Sequence, residues 1–131
     1  MVNYNEDLVV AKIKQCFPNK DQEKIMAILV LYGKESYECE TERVQIAVLK
    51  LSDGDLEKLR ENVDAAENDY RDILAFAEYP EQMSRDTWKM SDKEEVKRIQ
   101  ERDRLQYLNW LNKNLRKSLL LPPNLLPHRR N

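Results

Sequence analysis

Apolar residues recur three and four positions apart in the middle of the chain, the spacing of one face of an α-helix. The seven positions of this seam are Leu56, Leu59, Val63, Ala66, Tyr70, Ile73 and Ala77. The seam predicts one continuous helix that ends at Tyr79-Pro80, because proline cannot continue a helix. We expect Ser52 to cap its first turn and Glu67 to pair with Arg71 four residues later.

Two shorter helices are predicted before this one. The first runs from about residue 5 to residue 17 and ends at a proline. Asn19, with Gln22 three residues later, has the pattern of a capping box and predicts the start of the second helix. That helix runs to Tyr32, where Gly33 is placed to end it. Its apolar residues surround the axis, so we expect it to lie centrally in the core.

A third helix is predicted from about Thr41 to Leu51. Its apolar stripe consists of Val44, Ala47, Val48 and Leu51. Ile46 and Leu49 lie off this stripe, which indicates burial on two sides. The alternative makes 25–32 and 44–51 two strands of a hairpin, since short apolar runs fit either structure. The flanking Lys, Glu and Gln residues, and the presence of only two glycines, favour helices.

The last predicted helix follows a loop over residues 81–90. Ser91 and Glu94 form a second capping-box pattern, and the helix runs to about Asn114. Its apolar groups are Val96, Ile99, Tyr107, Leu108, Trp110 and Leu111. This stripe is interrupted by polar residues.

The interrupting residues are Arg102, Asp103 and Gln106, which face inward if Ile99 and Trp110 do. One interpretation is a buried polar network or the lining of a pocket. The other is a rotated helix, whose buried face is set by the leucines at 105, 108 and 111. We favour the rotated face, because the phase of a helix is read less securely from sequence than its existence.

Together these segments predict an all-α fold, a compact bundle of about five helices with an extended Pro-rich C-terminal tail. Residues 1–117 are expected to form a single helical domain, and residues 118–131 an apolar and basic tail. The longest apolar run, Ile25 to Tyr32, is far shorter than the roughly 20 residues of a membrane-spanning helix. The first residues are acidic where a secretory signal would be basic, so we expect a cytoplasmic protein without a membrane partner.

Few residues in the chain are suited to catalysis. His128 is the one histidine and lies in the tail, and Cys16 and Cys39 are far apart in sequence. These counts exclude a di-iron site built on Glu-x-x-His pairs and a structural zinc site. They also leave a nucleophile without a histidine base inside the bundle. No phosphate-binding glycine motif occurs. We therefore expect no cofactor, no metal ligands and no catalytic residues.

A row of carboxylates provides the enzymatic alternative. Glu57, Glu61 and Asp64 lie three and four residues apart on one face of the fourth predicted helix. The row resembles the magnesium-binding acids of helical nucleotide pyrophosphohydrolases, but the spacing of their paired Glu motifs is not matched. It also points away from the apolar seam, which is typical of a solvated face. A metal-dependent nucleotide hydrolase is thus the alternative function.

Charge is distributed unevenly along the chain. Residues 34–80 carry thirteen acids and six bases, a net charge of −7, and residues 85–117 carry ten bases and six acids, a net charge of +4. A basic helix can contact nucleic acid. However, the overall charge of −2 and the interleaved acids argue against a surface that follows phosphates. Pairing of the last two helices explains the pattern equally well, so we do not expect nucleic-acid binding.

One segment carries a resemblance to known proteins. The stretch from 51 to 80, which begins LSDGDLEKL and ends DYRDILAFAEYP, resembles segments of small bacterial proteins with no assigned activity. It covers about a quarter of the chain and includes no catalytic pattern. The resemblance implies a bacterial cytosolic setting and no particular activity.

The tail and the two tryptophans are the candidate partner-binding residues, together with Arg102. The tail supplies Leu119, Leu120, Leu121, Leu125 and Leu126 among three prolines, and it ends in two arginines. Such a segment can lie in a groove on a partner, and Trp88 and Trp110 can form an anchoring surface. The alternatives are a tail that packs on its own domain or stays disordered, and tryptophans that lie in the core. We expect a non-enzymatic helical protein-interaction module with a protein partner or a homodimer.

Overall fold

The computed structural model describes residues 2–113, which form six α-helices and one 3₁₀ turn, with no strand. The elements are α1 (Glu6–Cys16), α2 (Gln22–Leu29), α3 (Thr41–Ser52), α4 (Leu56–Glu78), α5 (Pro80–Arg85), the 3₁₀ turn (Thr87–Lys89) and α6 (Lys93–Asn112). The predicted all-α class is confirmed, and the alternative hairpin is wrong. Among these residues no helix is long and apolar enough to cross a membrane. The predicted tail and its boundary at residue 118 lie outside the described residues.

The centre of the bundle is α3. Every residue from Val44 to Leu49 is buried, which confirms the expected burial on two sides. Even Gln45 is buried there, and its side-chain amide donates to the carbonyl of Tyr32 at 2.9 Å. α4 packs along α3, as does α1, while α2 packs against α1 and α4. The prediction that the second helix is central is wrong, since α2 ends at the surface with Val30 and Leu31 exposed.

Aspartates, rather than the predicted residues, begin three of the helices. The caps are Asp21, Asp55 and Asp92, where the sequence predicts Asn19, Ser52 and Ser91. Asp21, for example, accepts from the backbone N–H groups of Glu23 and Lys24. A carboxylate both accepts these bonds and interacts favourably with the positive end of the helix dipole. Ser52 instead ends α3, buried, and its hydroxyl donates to the carbonyl of Val48 at 2.6 Å.

α4 is broken at Asp69, whose φ of −157° and ψ of 94° are not helical. Its carboxylate accepts from the backbone N–H of Arg71 at 3.1 Å, so Asp69 acts as an internal N-cap for the second half of α4. The guanidinium of Arg71 also pairs with Asp69. The predicted pairing with Glu67 is therefore wrong. The apolar seam nevertheless continues through the break, because Ile73 and Ala77 are buried.

The C-terminal end of α6 is attached to α1 by a buried lysine. Lys12 is 1% exposed. Its ammonium donates to the carbonyls of Trp110 at 2.6 Å and Leu111 at 3.1 Å, and also to the side-chain oxygen of Gln15. The ammonium also lies 4.3 Å from the centre of the Trp110 ring. The last carbonyls of a helix carry partial negative charge, so they stabilise this buried cation. Burial lowers the pKa of Lys12 to about 8.

We expect the free energy of unfolding to rise with pH, relative to the Lys12→Met variant, between about pH 7.5 and pH 9. Folded Lys12 loses its proton near pH 8, whereas the unfolded chain keeps it to about pH 10.5. The unfolded state therefore binds more protons in this interval, and the stability that Lys12 contributes increases with pH. Urea denaturation at several pH values should show a relative gain of about 1 kcal/mol.

The neighbouring titratable groups keep this comparison interpretable. Burial raises the pKa of the Cys16 thiol to about 11, so the stability from Cys16 is lost as pH rises from 9 towards 11. Below pH 9 the Cys16 thiol of the folded protein stays protonated with or without the Lys12 ammonium, so this loss cancels in the difference between the two proteins. A difference between wild type and variant that stays constant or falls with pH would show that Lys12 does not titrate as its burial requires.

Candidate functional site

The polar residues of α6 form a buried network. Asp103 is 2% exposed, whereas Leu105 is 45% exposed on the outer side of the helix. The favoured interpretation, a rotated face that buries Leu105, is therefore wrong. Asp103 and Gln106 face inward, as the alternative interpretation requires, while Arg102 lies at the edge of the network with its side chain half exposed.

Asp103 caps the start of α5 from the neighbouring helix. Its two carboxylate oxygens accept from the backbone N–H groups of Glu81 and Gln82, each at 2.9 Å, and from the side-chain amide of Gln82 at 3.1 Å. Tyr79, which precedes α5, makes no side-chain capping bond. The first N–H groups of a helix need such acceptors. A carboxylate from α6 thus fixes the position of α5, which begins at Pro80.

Gln106 performs the corresponding role at the end of α4. Its side-chain amide donates to the carbonyls of Ala77 at 3.4 Å and Glu78 at 3.3 Å. These carbonyls are among the last of α4 and have no partner within their own helix. One turn of α6 therefore satisfies both the end of α4 and the start of α5.

Arg102 holds α5 against α6 on the outer side of this junction. Its guanidinium donates to both carboxylate oxygens of Glu81, at 2.9 and 2.6 Å, in the paired geometry typical of arginine. Glu81 lies on α5 and also approaches Arg85 at 3.5 Å. The sequence predicts Arg102 as a partner-binding residue. The structure places it in an ion pair that joins two helices of the same chain.

Trp88 is exposed on the 3₁₀ turn between α5 and α6. The sequence predicts this turn as part of a loop. The indole is 69% exposed, and the ammonium of Lys89 lies 5.7 Å from the centre of its ring. Two backbone bonds close the turn, from Lys89 to Asp86 at 2.9 Å and from Met90 to Thr87 at 3.0 Å. Because the helices on both sides are fixed to each other, the turn presents Trp88 from a defined position.

Trp110 lies far from Trp88. It is half-buried and packs against the core, and the ammonium of Lys12 lies over its ring. It also stacks on Tyr107, with the ring centres 6.2 Å apart. The helix from Lys93 to Trp110 is about 26 Å long at 1.5 Å per residue. The two tryptophans therefore do not form one surface. The predicted tail residues at 119–121, 125 and 126 lie outside the described residues.

The sequence did not reveal a cleft beside the break in α4. It has a volume of about 280 Å³, and three tyrosines line it: Tyr32, Tyr37 and Tyr70. Tyr37 is 77% exposed, while Tyr32 is buried and donates to the carbonyl of Cys39 at 2.7 Å. Burial raises the pKa of Tyr32 to about 12, and the neighbouring Cys39 raises the pKa of Tyr70. Protonated phenols and aromatic faces suit binding rather than proton transfer at neutral pH.

The signal that could have located this cleft is the pair Asn68-Asp69 in the middle of the apolar seam. Both residues favour caps over helix interiors. The carboxylates Glu57, Glu61 and Asp64 are exposed, as predicted for a solvated face. Within residues 2–113 no three His, Cys, Asp or Glu side chains are close enough together to hold a metal ion.

We expect Asp103→Ala to lower the free energy of unfolding by about 2–4 kcal/mol, because it leaves buried N–H donors at the start of α5 without an acceptor. Arg102→Ala is the matched control, one residue away on the same helix. Its ion pair is largely exposed, so the loss should be much smaller. Urea denaturation of both variants measures the difference, and equal losses would refute a capping role for Asp103.

The comparisons with known proteins do not add to this geometry. No family model, no curated protein and no solved structure matches the chain. The resemblance of segment 51–80 to small bacterial proteins therefore stays a prediction.

Proposed function

We propose that this chain is a non-enzymatic helical module of the bacterial cytoplasm that binds another protein, or a second copy of itself, through a surface centred on Trp88. The observation that carries the proposal is the exposure of this indole on a turn between two helices that are fixed to each other. Tryptophan and arginine are the residues that contribute most often to binding energy at interfaces.

The rigidity of the turn strengthens the argument. A flexible loop loses conformational entropy when it binds, and this loss reduces affinity. Here Trp88 lies in a 3₁₀ turn within the connection over residues 86–92, and Asp103 and Arg102 fix the helix that precedes it to α6. The indole is thus presented at a small entropic cost. The ammonium of Lys89 lies beside the ring, which suits a partner with an acidic group next to an apolar pocket.

Nucleic acid fits this surface less well than a protein does. Three arginines of α6 are paired with acids: Arg98 with Glu95, Arg102 with Glu81, and Arg104 with Glu101. A surface that follows phosphates needs basic groups that are not already neutralised. The charge pattern that the sequence shows in this region therefore serves contacts within the chain.

The test is site-specific photo-crosslinking in the full chain. We place p-benzoyl-phenylalanine at position 88 and, as a control, at position 105, since Leu105 is also exposed on the same hairpin of α5 and α6. After irradiation in bacterial cells, mass spectrometry identifies the adducts. We expect one defined adduct from position 88 and none from position 105.

Competition then tests whether the indole itself is recognised. Excess unmodified protein should suppress the adduct, and excess Trp88→Ala protein should not. This variant should keep its fold because the side chain is exposed. Absence of an adduct at position 88, the same proteins at both positions, or equal suppression by Trp88→Ala would contradict the proposal.

A further inference from the structure

A groove lies between α1, α2 and α3. It has a volume of about 330 Å³. Met26 provides apolar surface over the buried Val9, and the charged lining residues are Glu6, Glu42 and Lys34. Val30 also lines the groove. Val30 and the adjacent Leu31 are each 45% exposed. Two such apolar residues at the end of a helix leave surface that a further apolar segment can cover.

The chain that follows α6 starts close to this groove. Lys12 holds the carbonyls of Trp110 and Leu111, so the end of α6 lies on α1. Val9 and Glu6 lie three and six residues before Lys12 on the same helix, which corresponds to about 4.5 and 9 Å along its axis. Lys113 is extended, with φ −65° and ψ 127°, so the chain leaves the helical path there.

Five residues, 114–118, separate this point from the first leucine of the C-terminal segment. An extended chain of five residues spans up to about 17 Å. The segment that begins at Leu119 can therefore reach the groove without any change in the six helices.

The chemistry of the C-terminal segment matches the groove. Leu119–Leu126 contains five leucines, and its two prolines lack N–H groups that would need partners on leaving water. Arg116 and Lys117 precede the leucines, and Arg129 and Arg130 follow them. These basic groups are complementary to Glu6 and Glu42, which outnumber the one basic lining residue, Lys34, and opposite charges favour association of two surfaces.

We propose that residues 119–126 of the same chain bind in the groove between α1, α2 and α3, with their leucines on Met26 and Val30. The segment thereby covers the exposed end of α2. This site is separate from the surface at Trp88, which lies at the opposite end of α6 from Lys113. The C-terminal segment then completes the apolar core instead of recognising a partner.

Paramagnetic relaxation tests the proposal in the full chain. A spin label is attached through Asn124→Cys in a Cys39→Ser background. Cys16 can stay, because it is partly buried and burial raises the pKa of its thiol to about 11. We expect the amide signals of Met26, Val30 and Thr41 to lose most of their intensity relative to the reduced label. The signals of Trp88 and Lys93 should not change.

Two further samples make the result decisive. Adding Leu125→Asp and Leu126→Asp should restore the lost signals, because charged side chains are not accepted in an apolar groove. The second sample mixes isotope-labelled protein that has no spin label with spin-labelled protein that has no isotope label. The amide signals of this mixture should show no loss of intensity. Loss in the mixture would mean that a second copy occupies the groove. Three outcomes would overturn the proposal: loss of signal in the mixture, loss of signal at the surface near Val2 and Leu108, and no loss of signal anywhere.

Discussion

Two buried charged side chains hold α5 and α6 on the bundle that the first four helices form. Lys12 binds the carbonyls at the end of α6, and Asp103 binds the N–H groups at the start of α5. The apolar stripe of α6 is narrow, with only Ile99, Tyr107 and Leu111 buried. Helix ends carry partial charges that can stabilise a buried ion of opposite sign. These contacts add directional bonds at both ends of the hairpin of α5 and α6 to this narrow apolar stripe.

The position of α6 determines the surface features from which function is inferred. Asp103 and Arg102 fix α5 to α6, so the turn that carries Trp88 is presented at one end of the hairpin. Lys12 fixes the other end to α1, which also lines the groove between α1, α2 and α3. The surface proposed for protein binding and the end of α6 nearest the proposed site of the C-terminal segment thus lie at opposite ends of one helix.

The spacing of apolar residues was sufficient to predict five of the six helices in residues 2–113, but not their ends. Three helices begin at aspartates, because a carboxylate also interacts with the helix dipole, and this preference competes with the capping-box pattern at Asn19 and Ser91. The break at Asp69 was missed because the apolar seam continues across it: Val63 and Ile73 are buried on either side. Hydrophobic periodicity reports the buried face of a helix and is insensitive to one non-helical residue.

The candidate site was only partly predictable. The interruption of the stripe by Asp103 and Gln106 indicated a buried network, but its partners belong to α5 and to the end of α4, and α5 was predicted as loop. Nothing in the sequence around Lys12 marks it as a buried cation, since its acceptors lie 98 and 99 residues away.

Native-state hydrogen exchange, measured amide by amide, tests most directly whether polar contacts hold the hairpin of α5 and α6 as one unit. We expect the amides of both helices to exchange through one shared opening. The free energy of this opening should be lower than that for the amides of α3, which exchange only on global unfolding. Exchange of α6 together with α3, or opening of α5 independently of α6, would contradict this expectation.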